Sequence, residues 1–248
     1  MHPIICQIGP LKIYSYGFML ALAFLTVTSF ATLNSKKHGI LPDHIFNFTF
    51  TCFLFGIIGA RLFYAIENFA YYSKNPAEIF MLQYGGLSWF GGLILGSALG
   101  LVYLKIKKIP VYRMLDFIAP YLALGQAVGR LGCLLNGCCG GKTIIFPVQA
   151  YASALLFIIF LILLFLQKKA YKPGQIIFSY FFLYSIKRFF IEFWRTDNAI
   201  VFHGLTLFQF LSIGLFVFSL FKLVSLRANE SERSNLSRLL RRKKRSSQ

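Results

Sequence analysis

The stretch TIIFPVQAYASALLFIIFLILLFLQ, Thr143–Gln167, contains no Asp, Glu, Lys or Arg. A helix crosses a hydrocarbon core in roughly 20 apolar residues, and this run exceeds that length. Working outward, Ile13–Ser35, Ile79–Leu104 and Asn198–Phe221 are equally free of charge. Three shorter apolar stretches, about 44–66, 113–129 and 175–194, each carry an ionisable residue inside or at one end. Together they predict an all-α integral membrane protein of about seven transmembrane helices joined by short connections. Composition agrees: 57% of the 248 residues are hydrophobic and 14% charged, with mean hydropathy +0.64. Water-soluble domains are about 45–50% apolar and about a quarter charged.

The net charge of +18 invites a nucleic-acid reading until the charges are placed on the connections. Lys36 and Lys37, then Lys105, Lys107, Lys108 and Arg113, then Lys168, Lys169 and Lys172, and finally the C-terminal tail put 18 basic residues on one side. Only Lys12, Lys74, Lys142 and Arg195 fall on the other. This is the positive-inside pattern, so the N-terminus is expected outside and the C-terminus in the cytoplasm. The basic run Arg241–Arg242–Lys243–Lys244–Arg245 then reads as a topology signal lying on anionic membrane lipid, and no nucleic-acid partner is expected. Residues 1–227 form the expected membrane domain, and 228–248 a basic, disordered cytoplasmic tail.

Ionisable residues inside a spanning helix are costly and by default mark a functional site. With this topology Arg61, Arg130, Arg188, Glu192 and Arg195 all approach the outer ends of their helices. Tyr16 opens the first span, Asn136 and Gln149 flank the following outer loop, and His203 opens the last span. Arg188, Glu192 and Arg195 recur at i, i+4 and i+7, on one helical face. A guanidinium fork fits a phosphate or carboxylate, and several forks at headgroup depth suit a phospholipid phosphate. The competing reading is structural ion pairing, Arg188 with Glu192 and Arg61 with Glu67.

Glycines give a second pattern. Gly92, Gly96 and Gly100 repeat every four residues, as in closely packed helices. The pairs Gly85–Gly86 and Gly91–Gly92 flank Leu87–Phe90 and suggest a bent backbone at the mouth of the third span. The stretch Gly125–Gly141, with Gly129 beside Arg130, is expected to bring backbone N–H groups to an anion. Gly141-Lys142-Thr143 imitates the end of a phosphate-binding loop, but Asn136 occupies the position of its first glycine. Cys133, Cys138 and Cys139 match no zinc spacing, and a disulfide from Cys133 to Cys138 or Cys139 is left open. The pattern calls for neither a metal nor an organic cofactor.

Gly129-Arg130-Leu131-Gly132 followed by Asn136-Gly137 resembles the signature of the prolipoprotein diacylglyceryl transferase family. The likeness covers almost the whole membrane domain. It includes Ile8-Gly9-Pro10, Ile13–Gly17, Gly59–Tyr64, Gly85–Ser88 with Gly91–Leu93, Pro147–Tyr151, Arg188–Asp197 and Gly204–Gln209, in family order. The resemblance implies a multi-pass enzyme of the bacterial cytoplasmic (inner) membrane with its site toward the outer leaflet. It implies transfer of a diacylglyceryl group from phosphatidylglycerol to the lipobox cysteine of a preprolipoprotein signal peptide, forming a thioether and releasing glycerol phosphate. Carried over, Arg130 holds the lipid phosphate and Arg188 completes the clamp, with Glu192 and Tyr16 as the remaining catalytic candidates. Arg61, Asn136, Arg195, Gly91, Gly92, Gly129 and Gln149 line or brace the substrate site. Two departures stand out: Phe90 occupies a position where many members have histidine, and Cys133 one where many have asparagine. The alternatives are a non-catalytic protein that binds or moves anionic lipid, and a transporter. The absence of an internal repeat disfavours transport.

Overall fold

The computed structural model describes residues 4–8, 11–81, 85–138, 140–141, 147–169, 171–196, 198–202 and 204–246. Eight helices dominate: α1 (Ser15–Ser35), α2 (Pro42–Glu67), α3 (Phe69–Tyr72), α4 (Trp89–Ile106), α5 (Val111–Asn136), α6 (Val148–Gln167), α7 (Gln175–Glu192) and α8 (Leu207–Ser246). Two antiparallel hairpins, β1 (Ile4–Ile8) with β2 (Leu11–Tyr14) and β3 (Ile200–Phe202) with β4 (Leu205–Thr206), precede α1 and α8. Among the described residues, six helices are long and apolar enough to cross a membrane. The remaining expected span is α7, an 18-residue helix whose last turns hold Lys187, Arg188 and Glu192. Leu25, Leu33, Ile94, Ile158, Phe165 and Phe221 are exposed on the spans, whereas Asp116, Gln149, Gln167, Ser185, Glu192 and Gln209 are buried. That inversion of the usual polarity is what hydrocarbon solvent demands. The protein is an all-α integral membrane protein.

The chain forms two compact units, Phe24–Met114 and Met1–Ala23 with Leu115–Gln248. In the first, α2 and α4 meet through glycine. A Cβ on Gly91 would strike the Gly59 carbonyl and Phe63, and one on Gly96 would lie 2.8 Å from the Cys52 carbonyl. A Cβ on Gly92 would come within 3.1 Å of the Gly56 carbonyl. The seam thus begins earlier than the Gly92–Gly96–Gly100 repeat suggests. At the other end of α2, Thr28 and Thr49 hydroxyls share a hydrogen bond of 3.1 Å with the second half of α1.

The third span starts at Trp89, ten residues later than the charge-free run begins. Pro76–Phe80 form a 3₁₀ turn, and Gly85 and Gly86 adopt φ of +75° and +79°. A left-handed backbone at two successive residues ends any helix, and only glycine adopts it without steric cost. The bend expected at the mouth of this span is therefore present.

In the second unit, Pro120 lies inside α5 and has no N–H to donate, which orphans the Asp116 carbonyl one turn earlier. Gln167, at the end of α6, supplies the missing donor, its Nε2 lying 2.6 Å from that carbonyl and 3.1 Å from the Phe117 carbonyl. The buried Asp116 carboxylate meanwhile accepts the Gly174 N–H at 2.5 Å and the Ile177 N–H at 2.9 Å, capping α7 from a neighbouring helix. A carboxylate there satisfies orphan donors and complements the helix dipole. Asp116→Ala should cost about 2–4 kcal/mol, from two unsatisfied buried N–H groups, and Asp116→Asn less. Thermal unfolding of the detergent-solubilised variants checks this, and an unchanged midpoint for Asp116→Ala would refute it.

The tail expected to be disordered instead continues α8 as helix to Ser246. Residues 228–246 contain neither glycine nor proline and are rich in Arg, Lys, Leu and Glu, which favour helix. The basic cluster at the C-terminal end also suits the dipole.

Candidate functional site

The second unit gathers the charges. Arg130 sits on α5 six residues before its end, and Gly137, at φ +75°, terminates that helix. Beyond it, Gly141 pairs with Arg195 in a short antiparallel bridge. A Cβ on Gly141 would strike the Trp194 carbonyl. The buried Gln149 of α6 donates from Nε2 to the Cys138 carbonyl at 2.9 Å. The segments that follow α5 and α7 and the start of α6 are thereby tied together.

Within α7, Arg188 Nη2 lies 3.2 Å from Glu192 Oε2, and Arg195 Nε lies 4.0 Å from the same oxygen. The ion pair foreseen for Arg188 and Glu192 is present. The other carboxylate oxygen of Glu192 accepts from Asn198 Nδ2 at 2.5 Å and from Thr206 Oγ1 at 3.0 Å. Thr206 also begins α8 with a capping box: its N–H donates to Gln209 Oε1 at 2.9 Å, and its Oγ1 accepts the Gln209 N–H at 3.4 Å. The Phe208 ring of the same turn lies 4.5 Å from the Arg188 guanidinium. The start of α8 thus holds both Glu192 and Arg188. Thr206 and Asn198 were missed as site residues, although Thr206-Leu207-Phe208-Gln209 is a legible capping pattern.

Arg130 is half-buried and has neither hydrogen bond nor ion pair with any described residue. It nevertheless acts electrostatically on Lys187 and Arg188, as does Arg195. Among the described residues, Arg188 and Arg195 thus share the Glu192 carboxylate, and Arg130 and Lys187 stand as further basic groups in the same electrostatic cluster. The amide of Asn136, at the last residue of α5, is also without a described partner. Tyr16 is exposed at the start of α1, beside Gly132 of α5, where an added Cβ would lie 3.9 Å from its ring and 2.8 Å from Met19.

Several expectations are corrected. Gly125, Gly129 and Gly132 lie inside α5, where backbone N–H groups bond to carbonyls four residues back, so they offer no anion cradle. Gly129 instead leaves open space beside Arg130, since a Cβ there would meet nothing within 4 Å. Gly91 and Gly92, expected beside the substrate, face α2 in the helix seam. The Cys138 sulfur lies 3.8 Å from the Cys133 carbonyl. Cys139, Lys142, Asp197 and His203 lie outside the described residues.

Arg61 belongs to the first unit. All five of its N–H donors go to loop carbonyls: Nε to Ile79 at 2.8 Å, Nη1 to Gly85 and to Gly86 at 3.0 Å, and Nη2 to Glu78 at 2.6 Å and Met81 at 3.1 Å. The Tyr64 and Tyr72 rings flank the guanidinium at 6.0 and 5.4 Å. It makes no pair with Glu67, which accepts from Ser88 Oγ at 3.1 Å. A guanidinium so committed braces a loop and has no donor left for a headgroup.

The sequence profile of the family described as prolipoprotein diacylglyceryl transferase matches residues 3–225. The chain belongs to that family. A phosphatidylglycerol–prolipoprotein diacylglyceryl transferase of Clostridium tetani is 34% identical, over 89% of this chain and 98% of its own length. One of Clostridioides difficile is 37% identical, over 75% and 80%. One of Lactobacillus gasseri is 31% identical, over 87% of each. Membership in the diacylglyceryl transferase family makes the protein a multi-pass bacterial membrane protein, in agreement with its apolar helices.

Proposed function

We propose that the protein transfers a diacylglyceryl group from phosphatidylglycerol to the cysteine thiol of a preprolipoprotein lipobox, at the outer leaflet of the cytoplasmic membrane. The carrying observation is the cluster of Arg130, Lys187, Arg188 and Arg195, in which only Arg188 and Arg195 pair with a carboxylate, that of Glu192, and Arg130 has no hydrogen-bond or ion-pair partner among the described residues. Such an excess of buried positive charge suits an anionic headgroup.

In the reaction the cysteine sulfur attacks the glyceryl carbon that bears the phosphate ester. A C–S bond forms, the C–O bond breaks, and its electron pair stays on the phosphate oxygen. The thiol proton leaves with the glycerol phosphate or to water, so charge balances. Arg130, without a hydrogen-bond or ion-pair partner among the described residues, grips the phosphate, and Arg188, steadied by Glu192 and Phe208, opposes the charge growing on the leaving oxygen. The same positive field favours the thiolate of the incoming cysteine. Glu192 Oε1 accepts from Asn198 and Thr206, while Oε2 lies in ion-pair range of Arg188 and Arg195 without accepting a hydrogen bond from a described residue, which supports a role in positioning the two arginines. The Tyr16 ring beside Gly132 of α5 and the hydrogen bond from Gln149 to the Cys138 carbonyl support a reading in which Tyr16 and Asn136 line the site and Gln149 braces its edge. Phe90 excludes a histidine base at its position.

Incubating the purified protein with isotope-labelled phosphatidylglycerol and a lipobox peptide tests this. The peptide should gain the mass of diacylglycerol minus water on its cysteine, with one glycerol phosphate released per adduct. Lipid binding without any adduct would leave only a lipid-binding protein.

A further inference from the structure

Lys187 is the one charge of the cluster to which neither the sequence pattern nor the family resemblance assigns a task. It lies on α7 beside Arg188 and is only 6% exposed. It has no hydrogen-bond acceptor and no ion-pair partner among the described residues. Its one described contact is the Tyr184 ring, 4.7 Å from the ammonium. Its electrostatic neighbours are Arg130, Arg188 and Arg195, all of its own sign, while Glu192 is already shared by the two arginines. Desolvating an ammonium among like charges costs several kcal/mol unless an anion compensates. Among the described residues no carboxylate provides that anion, so an anionic ligand is the group that would hold Lys187 in its charged form.

The charge count says when. A phosphodiester carries one negative charge, and Arg130 with Arg188 suffices for it. When the C–O bond breaks, the ester becomes a phosphate monoester, which holds close to two negative charges near neutral pH because its second ionisation lies near 6. Resting on the transferase reading above, we propose that Lys187 donates a hydrogen bond to the leaving phosphate and answers its second negative charge. It is thus a catalytic residue for C–O cleavage more than a ligand for the intact lipid. A compact ammonium suits a charge concentrated on one oxygen, as a guanidinium fork suits the two oxygens of the diester.

The test compares wild type, Lys187→Met and Lys187→Arg in three measurements: steady-state transfer from phosphatidylglycerol to a lipobox peptide, inhibition by glycerol 1-phosphate, and thermal unfolding. Lys187→Met should lower kcat by about 10²-fold with KM for phosphatidylglycerol changed less than about threefold, as expected when a donor used only in the transition state is removed. It should weaken glycerol 1-phosphate inhibition about tenfold, and it should leave the unfolding midpoint unchanged or raised, because an uncompensated buried charge has gone. Lys187→Arg should keep most of the activity. Three results overturn the proposal: a kcat within twofold of wild type, a loss confined to KM, or a lowered midpoint with both variants equally impaired, which marks a packing role. If the wild-type protein itself transfers nothing, the function assignment fails. Calorimetry with glycerol 1-phosphate then still decides Lys187: binding equal in wild type and Lys187→Met removes it from the phosphate site.

Discussion

Arg130→Ala is expected to reduce transfer by about 10³-fold while the protein inserts and unfolds as wild type does. One preorganised donor to developing charge is worth roughly 3–4 kcal/mol of transition-state stabilisation, and a bidentate fork supplies two. Stability should hold because the Arg130 side chain makes no hydrogen bond or ion pair with any described residue. Its loss even relieves repulsion within the cluster. Arg130→Lys should recover a small part of the rate, since a point charge replaces the fork. Initial rates on phosphatidylglycerol, with the unfolding midpoint as control, decide the matter. A purified Arg130→Ala protein working at the wild-type rate would falsify the phosphate-clamp assignment.

Arg61→Met should do the reverse, acting on stability before chemistry. Five loop carbonyls lose their donor at once, in a setting where the guanidinium is only 4% exposed. Breaking such a buried, charge-assisted array costs about 3–5 kcal/mol, limited by how far water and lipid headgroups replace it. Gly85 and Gly86, whose left-handed backbone follows from this grip and from the Tyr64 ring beside Gly86, should then lose their fixed conformation. Amide hydrogen exchange across residues 78–81 and 85–88 should accelerate by about 10²–10⁴-fold, the exponential of that energy, while amides of α6 and α7 keep their protection. Unchanged exchange in the loop would show that the carbonyls find other partners and that Arg61 is free for another role.

These two arginines look alike in the sequence: each is a lone cation near the end of an apolar span. Their opposite fates mark the limit of sequence reading here. Arg130 was recognisable from Gly129-Arg130-Leu131-Gly132, but the glycines around it suggested a cradle of backbone donors. Helix α5 absorbs them, because a continuous helix is the cheapest way to satisfy N–H groups away from water. Gly91 and Gly92 were misjudged for a related reason. Spacing cannot distinguish a glycine that admits a ligand from one that admits a neighbouring helix. Lys187 was visible as a charge beside Arg188 but carried no pattern of its own, and its lack of an ion-pair partner among the described residues is a property of three dimensions.

What the sequence by itself determined is the class and chemistry of the protein. Charge-free runs longer than a bilayer's thickness leave no other solvent for their side chains, and the few charges retained inside them mark the place where charge is used. Family motifs then name the reaction. The tertiary structure alone decided which cations remain available. Hydrogen bonds among groups remote in sequence, Arg61 to the 78–86 loop and Thr206 and Asn198 to Glu192, consume donors and acceptors one by one. A guanidinium can be spent only once, and no local pattern of residues records where that happens.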